Sequence, residues 1–339
     1  MRQPSVFETY RDEVDAELRA VFEGYSSPLY DMLRYHLGWM TQEGEAGNGS
    51  AGKGLRSTLC LLACESLGAD RRPALPAAAT IDLVHNYSLI HDDIQDGDVE
   101  RRHRPTVWAI WGEAQAINAG SAMRQLADVA LRRLVDRGVS TEKALRASWL
   151  LDDTCLRLLE GQWLDINFEE RLDVGVADYV EMISLKTGAL LSFAARLGAL
   201  IAVDDEAAVD AFGRFGLNLG IAFQIRDDVL GIWGDESQTG KPLGNDIRRK
   251  KKSFPVIYAL QNSPDASELR RIYSLPEIAG DDLAAVMGIL EGVRAEEAAG
   301  CIARRYRDQA LREIAPLSLS ARGWADLKEI ACFLVERSH

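Results

Sequence analysis

The chain has 339 residues, of which 47% are hydrophobic, and a formal net charge of −13. That length and apolar share support a sizeable core and exclude global disorder. The charge excludes nucleic acid as a general partner, because a polyanion is repelled over most of such a surface.

From its start, MRQPSVFETYRDEVDAEL, the chain is polar and acidic, without an apolar signal core. No uninterrupted apolar span is expected to reach bilayer length, so no transmembrane segment is expected. The longest apolar stretches, such as 187–203, contain Ser192 and Arg196 and read as buried helix. Windows rich in Ala, Leu, Glu and Arg dominate, with few alternating β-branched runs. The expectation is an all-α protein, a single domain over residues 1–339 without solenoid repeats. Gly-rich and polar breaks are expected near 43–54, 68–76, 97–105, 167–176, 203–206 and 234–244. Five cysteines (Cys60, Cys64, Cys155, Cys301 and Cys332) show neither disulfide nor metal-ligand spacing, which fits a reducing cytoplasm.

The first break ends in AGKGLR, placing Lys53 and Arg56 where a loop meets a helix. Two cations beside exposed backbone amides suit an anion such as diphosphate. No Ser or Thr follows the lysine and no strand precedes it, so this is not a P-loop. Residues 80–106 follow: TIDLVHNYSLIHDDIQDGDVERRHRPT. Read as a helix, Leu83, Tyr87, Ile90 and Ile94 form a buried stripe. His85, Ser88, Asp92 and Asp96 fall along another line. Stacking Asp92 over Asp96 costs a few tenths of a kcal/mol in like-charge repulsion, roughly 0.2–0.5. A divalent cation would offset that cost; for one such run alone, a solvated acidic face is the alternative. Lys186 lies in the nearly apolar window 179–201, so either a counter-charge is near or the ammonium reaches the surface.

A second acidic run follows FGRFGLNLGIAFQI, in which Gly216 and Gly220 predict the close approach of another backbone. Gln224, Asp227 and Asp228 end that apolar helix as Asp92 and Asp93 end the first. Beyond it come Lys241 in a Gly-punctuated loop and a basic cluster, Arg248 to Lys252, stopped by Pro255. Two facing helices that end in aspartates would hold hard cations. Mg²⁺ takes few carboxylates and completes its shell with water and substrate phosphate. Surrounding cations and apolar walls describe a site for a diphosphate head on a hydrocarbon tail.

These motifs resemble those of the trans-prenyl diphosphate synthases. Asp92-Asp93-Ile94-Gln95-Asp96 matches the first DDxxD motif of that family, and Arg101-Arg102 the arginine pair after it. Phe223-Gln224 and Asp227-Asp228-Val229-Leu230-Gly231 resemble the second. Lys186-Thr187, Gly240-Lys241 and Lys251 fall at family substrate-binding positions. The resemblance implies a helical bundle around a central active-site cavity, usually a homodimer. It implies three Mg²⁺ held by Asp92, Asp96 and Asp227. Arg101, Lys186 and Lys241 would bind an allylic diphosphate, and Lys53, Arg56, His85 and Arg102 isopentenyl diphosphate. Thr187 and Gln224 would line the reacting region, with Gln224 and Lys186 facing the carbocation. Tyr87 and Ser88, five and four positions before the first aspartate, would set product length. A bulky and a small residue there resemble the pattern of members that stop at C20 geranylgeranyl diphosphate.

Four departures stand out. The family pattern GKRxRP reads Gly52-Lys53-Gly54-Leu55-Arg56-Ser57 here, without one arginine and the proline. His103 stands where glycine usually follows the arginine pair, and Gly231 replaces the last aspartate of the second motif. A class I terpene cyclase on the same fold is therefore the alternative activity. A regulatory subunit of a heteromeric synthase is a third reading, against which both acidic motifs survive.

Overall fold

Glycine and polar clusters set where each helix stops, and the expected breaks recur in the computed structural model, which describes residues 4–47, 54–234 and 243–337. Lys53 and Lys241 lie outside the described residues. In chain order the helices are α1 Val6–Thr9, α2 Arg11–Val21, α3 Pro28–His36, α4 Leu55–Ser66, α5 Leu75–Gln95 and α6 Val107–Trp111. Then come α7 Glu113–Asp136, α8 Thr141–Glu169, α9 Val176–Ile183, α10 Ala189–Ala202 and α11 Glu206–Trp233. Four shorter helices follow (Asn245–Arg248, Phe254–Asn262, Ala266–Tyr273, Gly280–Gly292), then a long pair, Ala295–Ile314 and Ala321–Glu336.

Local chemistry explains several ends. The Ser140 hydroxyl accepts from the Lys143 amide to cap α8, and the Asp205 carboxylate accepts from Ala207 to cap α11. Gly54 caps α4 at φ 62°, the left-handed region that glycine enters without strain. The arginine missing from the family pattern thus leaves a backbone turn that a side chain would strain.

Helix α5 lies against α4 and α7, and α10 lies against α4 and α11. Small residues let these backbones nearly touch. A Cβ on Gly198 of α10 would sit 2.0 Å from the Cys60 carbonyl oxygen of α4. The close approach predicted at Gly216 and Gly220 is present: Cβ atoms there would fall 2.2 Å from the Leu191 oxygen and 2.6 Å from the Gly188 Cα.

Between α9 and α10, residues Ser184–Gly188 form one π-helical turn, which carries Lys186 and Thr187. Such bulges re-aim side chains and recur at functional sites. Among the described residues the continuous run Val176–Ala202 is the longest apolar stretch, interrupted by Asp178, Glu181, Lys186 and Arg196. It is 27 residues long, and a window of 18 residues within it reaches a mean hydropathy of 1.4, enough by length and composition alone to cross a membrane. Burial explains that composition, since 67% of that window is packed inside the bundle.

Among the described residues the one sheet is a two-stranded hairpin, β1 Glu100–Arg101 with β2 Arg104–Pro105. Its turn residues, Arg102 (φ 53°) and His103 (φ 60°), both occupy the left-handed region. Histidine is among the few non-glycine types enriched there. His103 in place of glycine therefore keeps the turn at a modest cost in strain, of order 1 kcal/mol or more.

Candidate active site

The C-terminal part of α5 and residues 223–227 of α11 face each other across a cavity of about 350 Å³; α11 does not end at its aspartates as expected but runs on to Trp233. Helix α5 contributes His85, Tyr87, Ser88 and Asp92 to its walls, and α11 contributes Phe223, Gln224 and Asp227. The π turn adds Lys186 and Thr187, and α8 adds Leu158, Leu159 and Gln162. Arg56, Arg101 and Arg102 complete the polar side. A second pocket of about 170 Å³ shares Arg56, His85, Arg102 and Phe223 with the first and adds Gly54, Asp82 and Arg337. The two chambers therefore meet at a wall carrying two guanidinium groups and an imidazole. Burial, reinforced by Arg56 and Arg102, drives the His85 pKa well below its ordinary value, so the ring is neutral.

The aspartates divide by role within each motif. Asp92 faces the cavity, and among the described residues its carboxylate has no ion pair or hydrogen bond. Burial pushes its pKa up to about 6, with Lys186 opposing and Asp96 adding to the shift. Asp93 turns away and forms a buried pair with Arg101 at 2.7 Å. Across the cavity Asp227 lines the wall, while Asp228, 1% exposed, holds the structure together. Its carboxylate accepts from the Tyr179 hydroxyl at 2.6 Å, the Phe254 amide at 2.8 Å and the Gln224 amide at 3.0 Å. Thr187 donates to the Gln224 oxygen at 2.9 Å, so the π turn, Gln224 and Asp228 form one chain of hydrogen bonds.

Lys186 finds the counter-charge its burial requires in Asp165 of α8. The crossing there is tight, because a Cβ on Gly161 would lie 2.3 Å from the Lys186 amide nitrogen. Asp96 stands one turn beyond Asp92, exposed and outside the cavity wall. Lys251 is also apart from that wall, 3.8 Å from Asp228 and 3.9 Å from Asp246. The basic cluster is not merely solvated: Arg249 pairs with Asp98 at 2.7 Å, and Lys252 donates to the Glu169 carbonyl at 3.0 Å. Gly231 has a structural reason, since a Cβ there would meet the Asp246 carboxylate at 2.2 Å. An aspartate in its place would set two like charges in contact.

Sequence reasoning missed Arg337. Its guanidinium binds the Asp227 carboxylate and lies 4.4 Å over the Phe223 ring, and its carbonyl accepts from Arg226 at 2.6 and 2.9 Å. No local signal marks it, because it follows the last helix, far along the chain from its partners.

Among the described residues no three His, Cys, Asp or Glu side chains converge into a closed metal cage. The donor set nonetheless fits a hard divalent cation that keeps water and substrate oxygens, since Asp92 is a desolvated carboxylate, unpaired among the described residues, opposite Asp227.

A helical bundle with aspartates on two facing helices across an apolar, cation-rimmed cavity defines a diphosphate enzyme of the isoprenoid type. The polyprenyl synthetase family model matches residues 39–290. The chain is 37% identical over 325 residues to a (2E,6E)-farnesyl diphosphate synthase of Mycobacterium tuberculosis, covering 94% of this chain and 89% of that protein. It is 42% identical over 273 residues to a geranylgeranyl diphosphate synthase of the same species, covering 80% and 77%. The crystal structure of a polyprenyl synthetase from Streptomyces coelicolor superposes with a TM-score of 0.90 at 36% identity, covering 97% of this chain and 98% of that one. The chain belongs to the polyprenyl synthetase family. It is a prenyltransferase of the short-chain trans-prenyl diphosphate synthase group.

Proposed function

We propose that this enzyme condenses an allylic diphosphate with isopentenyl diphosphate, with Mg²⁺, to give mainly the C20 product. The observation that carries the two-substrate reading is the shared wall of Arg56, His85, Arg102 and Phe223 between the two chambers. A cyclase acting on one prenyl diphosphate needs no second cationic chamber. Asp92, Asp96 and Asp227 would hold the metal ions, which as Lewis acids supply neutralisation of the departing diphosphate.

The chain's own residues do the rest. Arg101, fixed by Asp93, presents charge to the larger chamber, whereas Arg102 borders both. Near a protein surface one such charge contact is on the order of 4 kcal/mol at 4 Å, so several contacts supply much of the barrier reduction. Thr187 locks the Gln224 amide at the wall beside Lys186, where their dipole and charge orient the reacting carbons. Leu158, Leu190 and Phe223 exclude water from the allylic cation. The released diphosphate takes the final proton.

The C20 reading is supported by Ser88 and Tyr87, which both line the cavity below Asp92. The Tyr87 ring is buried and packs edge-on against His91, with centroids 5.9 Å apart. A homodimer is supported by an uncovered apolar stripe on α8, and five unpaired cysteines suit a cytoplasmic setting. The test is incubation with Mg²⁺, isopentenyl diphosphate and each allylic primer in turn, with product analysis. A cyclic hydrocarbon formed without isopentenyl diphosphate would establish the cyclase instead.

A further inference from the structure

The hairpin that carries the arginine pair borders a further pocket. Antiparallel pairing sets Arg101 directly opposite Arg104, and like charges facing each other across a ladder are destabilising. Arg101 is neutralised by Asp93 at 2.7 Å. Arg104 meets no carboxylate among the described residues: its guanidinium lies 4.1 Å over the Tyr35 ring and donates to the Met40 carbonyl at 3.0 Å. Arg102, in the turn at φ 53°, has neither an ion pair nor a hydrogen bond among the described residues. All three guanidinium groups line a pocket of about 180 Å³ between the hairpin and the end of α3, together with Asp93, Tyr35 and His36. With three arginines against one aspartate, positive charge is in excess there. Burial, reinforced by the same arginines, pushes the His36 pKa down to about 3, so its ring stays neutral.

Two buried polar atoms of residues lining this pocket have no hydrogen-bond partner among the described residues, Oδ2 of Asp93 and Nε2 of His36. Asp93 is 1% exposed, and Arg101 takes only its other oxygen, Oδ1. A bare anion would satisfy the guanidinium groups but leave Asp93 Oδ2 facing another oxygen. An oxyanion that keeps a proton satisfies both, with P–O⁻ groups on the arginines and one P–OH donated to the carboxylate. Inorganic phosphate and diphosphate hold such a proton at neutral pH, whereas sulfate holds none. The pocket has room for either with its water, since a single water needs only ~10–15 Å³ in the same measure. We propose that this pocket is a regulatory site for protonated inorganic phosphate or diphosphate, separate from the two substrate chambers. Arg102 couples it to them, because that side chain borders both chambers as well. An anion here draws Arg102 away from Arg56 and His85, so occupancy weakens the binding of isopentenyl diphosphate. Each turnover releases diphosphate in the chain-elongation reading above, on which this source of the anion rests. The site then slows the enzyme as its by-product accumulates.

The experiment titrates the Mg²⁺-loaded chain with inorganic phosphate, inorganic diphosphate and sulfate in turn, by calorimetry at fixed ionic strength and free Mg²⁺. Phosphate and diphosphate are expected to fill one site per chain that Arg104→Gln removes and Arg104→Lys retains. Sulfate is expected to bind that site about tenfold or more weakly, because it brings no proton to Asp93. Diphosphate should bind at least as tightly as phosphate; the reverse would overturn the released by-product as the source. Saturating phosphate should raise KM for isopentenyl diphosphate at least about fivefold, the low end of coupling between sites, without changing turnover at saturating substrates. Arg104→Gln without phosphate should keep the turnover and KM of the unaltered enzyme, and phosphate should no longer move them. Equal phosphate binding by the unaltered and Arg104→Gln chains, sulfate bound as tightly as phosphate, or an unmoved KM overturns the inference. The comparison of phosphate with sulfate uses the unaltered chain alone, so it decides the matter even if circular dichroism shows Arg104→Gln to be unfolded. A chain that binds phosphate as expected but forms no prenyl product from the two diphosphates overturns the elongation reading instead, so the two failures are distinguishable.

Discussion

Adjacent residues Asp227 and Asp228 should fail in opposite ways when substituted. Asp228→Ala removes the acceptor for three buried or half-buried donors: the Tyr179 hydroxyl, the Phe254 amide and the Gln224 amide. A hydrogen bond to a charged group contributes about 1.5–3 kcal/mol, and a buried donor left without a partner costs about 1–3 kcal/mol. Partial relaxation leaves an expected loss of about 3–6 kcal/mol, a large share of the ~5–15 kcal/mol that holds a folded domain. Tyr179→Phe removes one donor together with its bond and should cost only about 1–2 kcal/mol. Asp227→Asn keeps an oxygen for Arg337 at a carboxylate 37% exposed, so its stability should change by less than about 1 kcal/mol. Its turnover should nevertheless fall by orders of magnitude, because a neutral amide oxygen holds a hard divalent cation far more weakly than a carboxylate does. Urea unfolding followed by circular dichroism measures the first effect, and product formation at saturating substrates measures the second. Equal stability losses in the two variants, or an Asp228→Ala midpoint indistinguishable from that of the unaltered enzyme, would refute the division of roles.

Three further outcomes follow from the same geometry. The Asp92 carboxyl sits at about 6 because burial disfavours its charge, so protons compete with the cation below that pH; calorimetric titration with Mg²⁺ should show affinity falling as pH drops from about 7 to 5, and a flat profile would count against Asp92 as a ligand. Arg337→Ala frees the Asp227 carboxylate and strips a cation from the smaller chamber, so Mg²⁺ binding should tighten while KM for isopentenyl diphosphate rises; unchanged values for both would make the Arg337 contact incidental. Tyr87→Ala should lengthen the product by opening an apolar space that a longer tail fills, and Ser88→Phe should shorten it towards C15; an active Tyr87→Ala enzyme with an unaltered product spectrum would place the floor elsewhere.

Much of the molecule is a local matter and was legible in the chain. Glycine and polar clusters stop helices through backbone freedom within a few residues, so the ends of α4, α8, α10 and α11 fall where the breaks predicted. Spacing along one helix put His85, Ser88, Asp92 and Asp96 on a single line; the first three line the cavity, and Asp96 is exposed one turn beyond. The glycines of α11 announced a close neighbour without identifying it as α10 and the π turn.

What only the tertiary structure decided involves partners distant in sequence or a choice between adjacent, chemically identical groups. Lys186 meets Asp165 across 21 residues, Tyr179 reaches Asp228 across 49, and Arg337 reaches Asp227 across 110. No periodicity encodes such pairs. Asp92 and Asp93 share one side-chain chemistry, and so do Asp227 and Asp228; helix orientation in the assembled bundle alone sends one of each to the cavity and the other to a buried donor. The apolar run 176–202 shows the same limit, since hydropathy reports only that a segment avoids water. The packing of α8 and α11 around it decides that protein, rather than lipid, covers most of its surface.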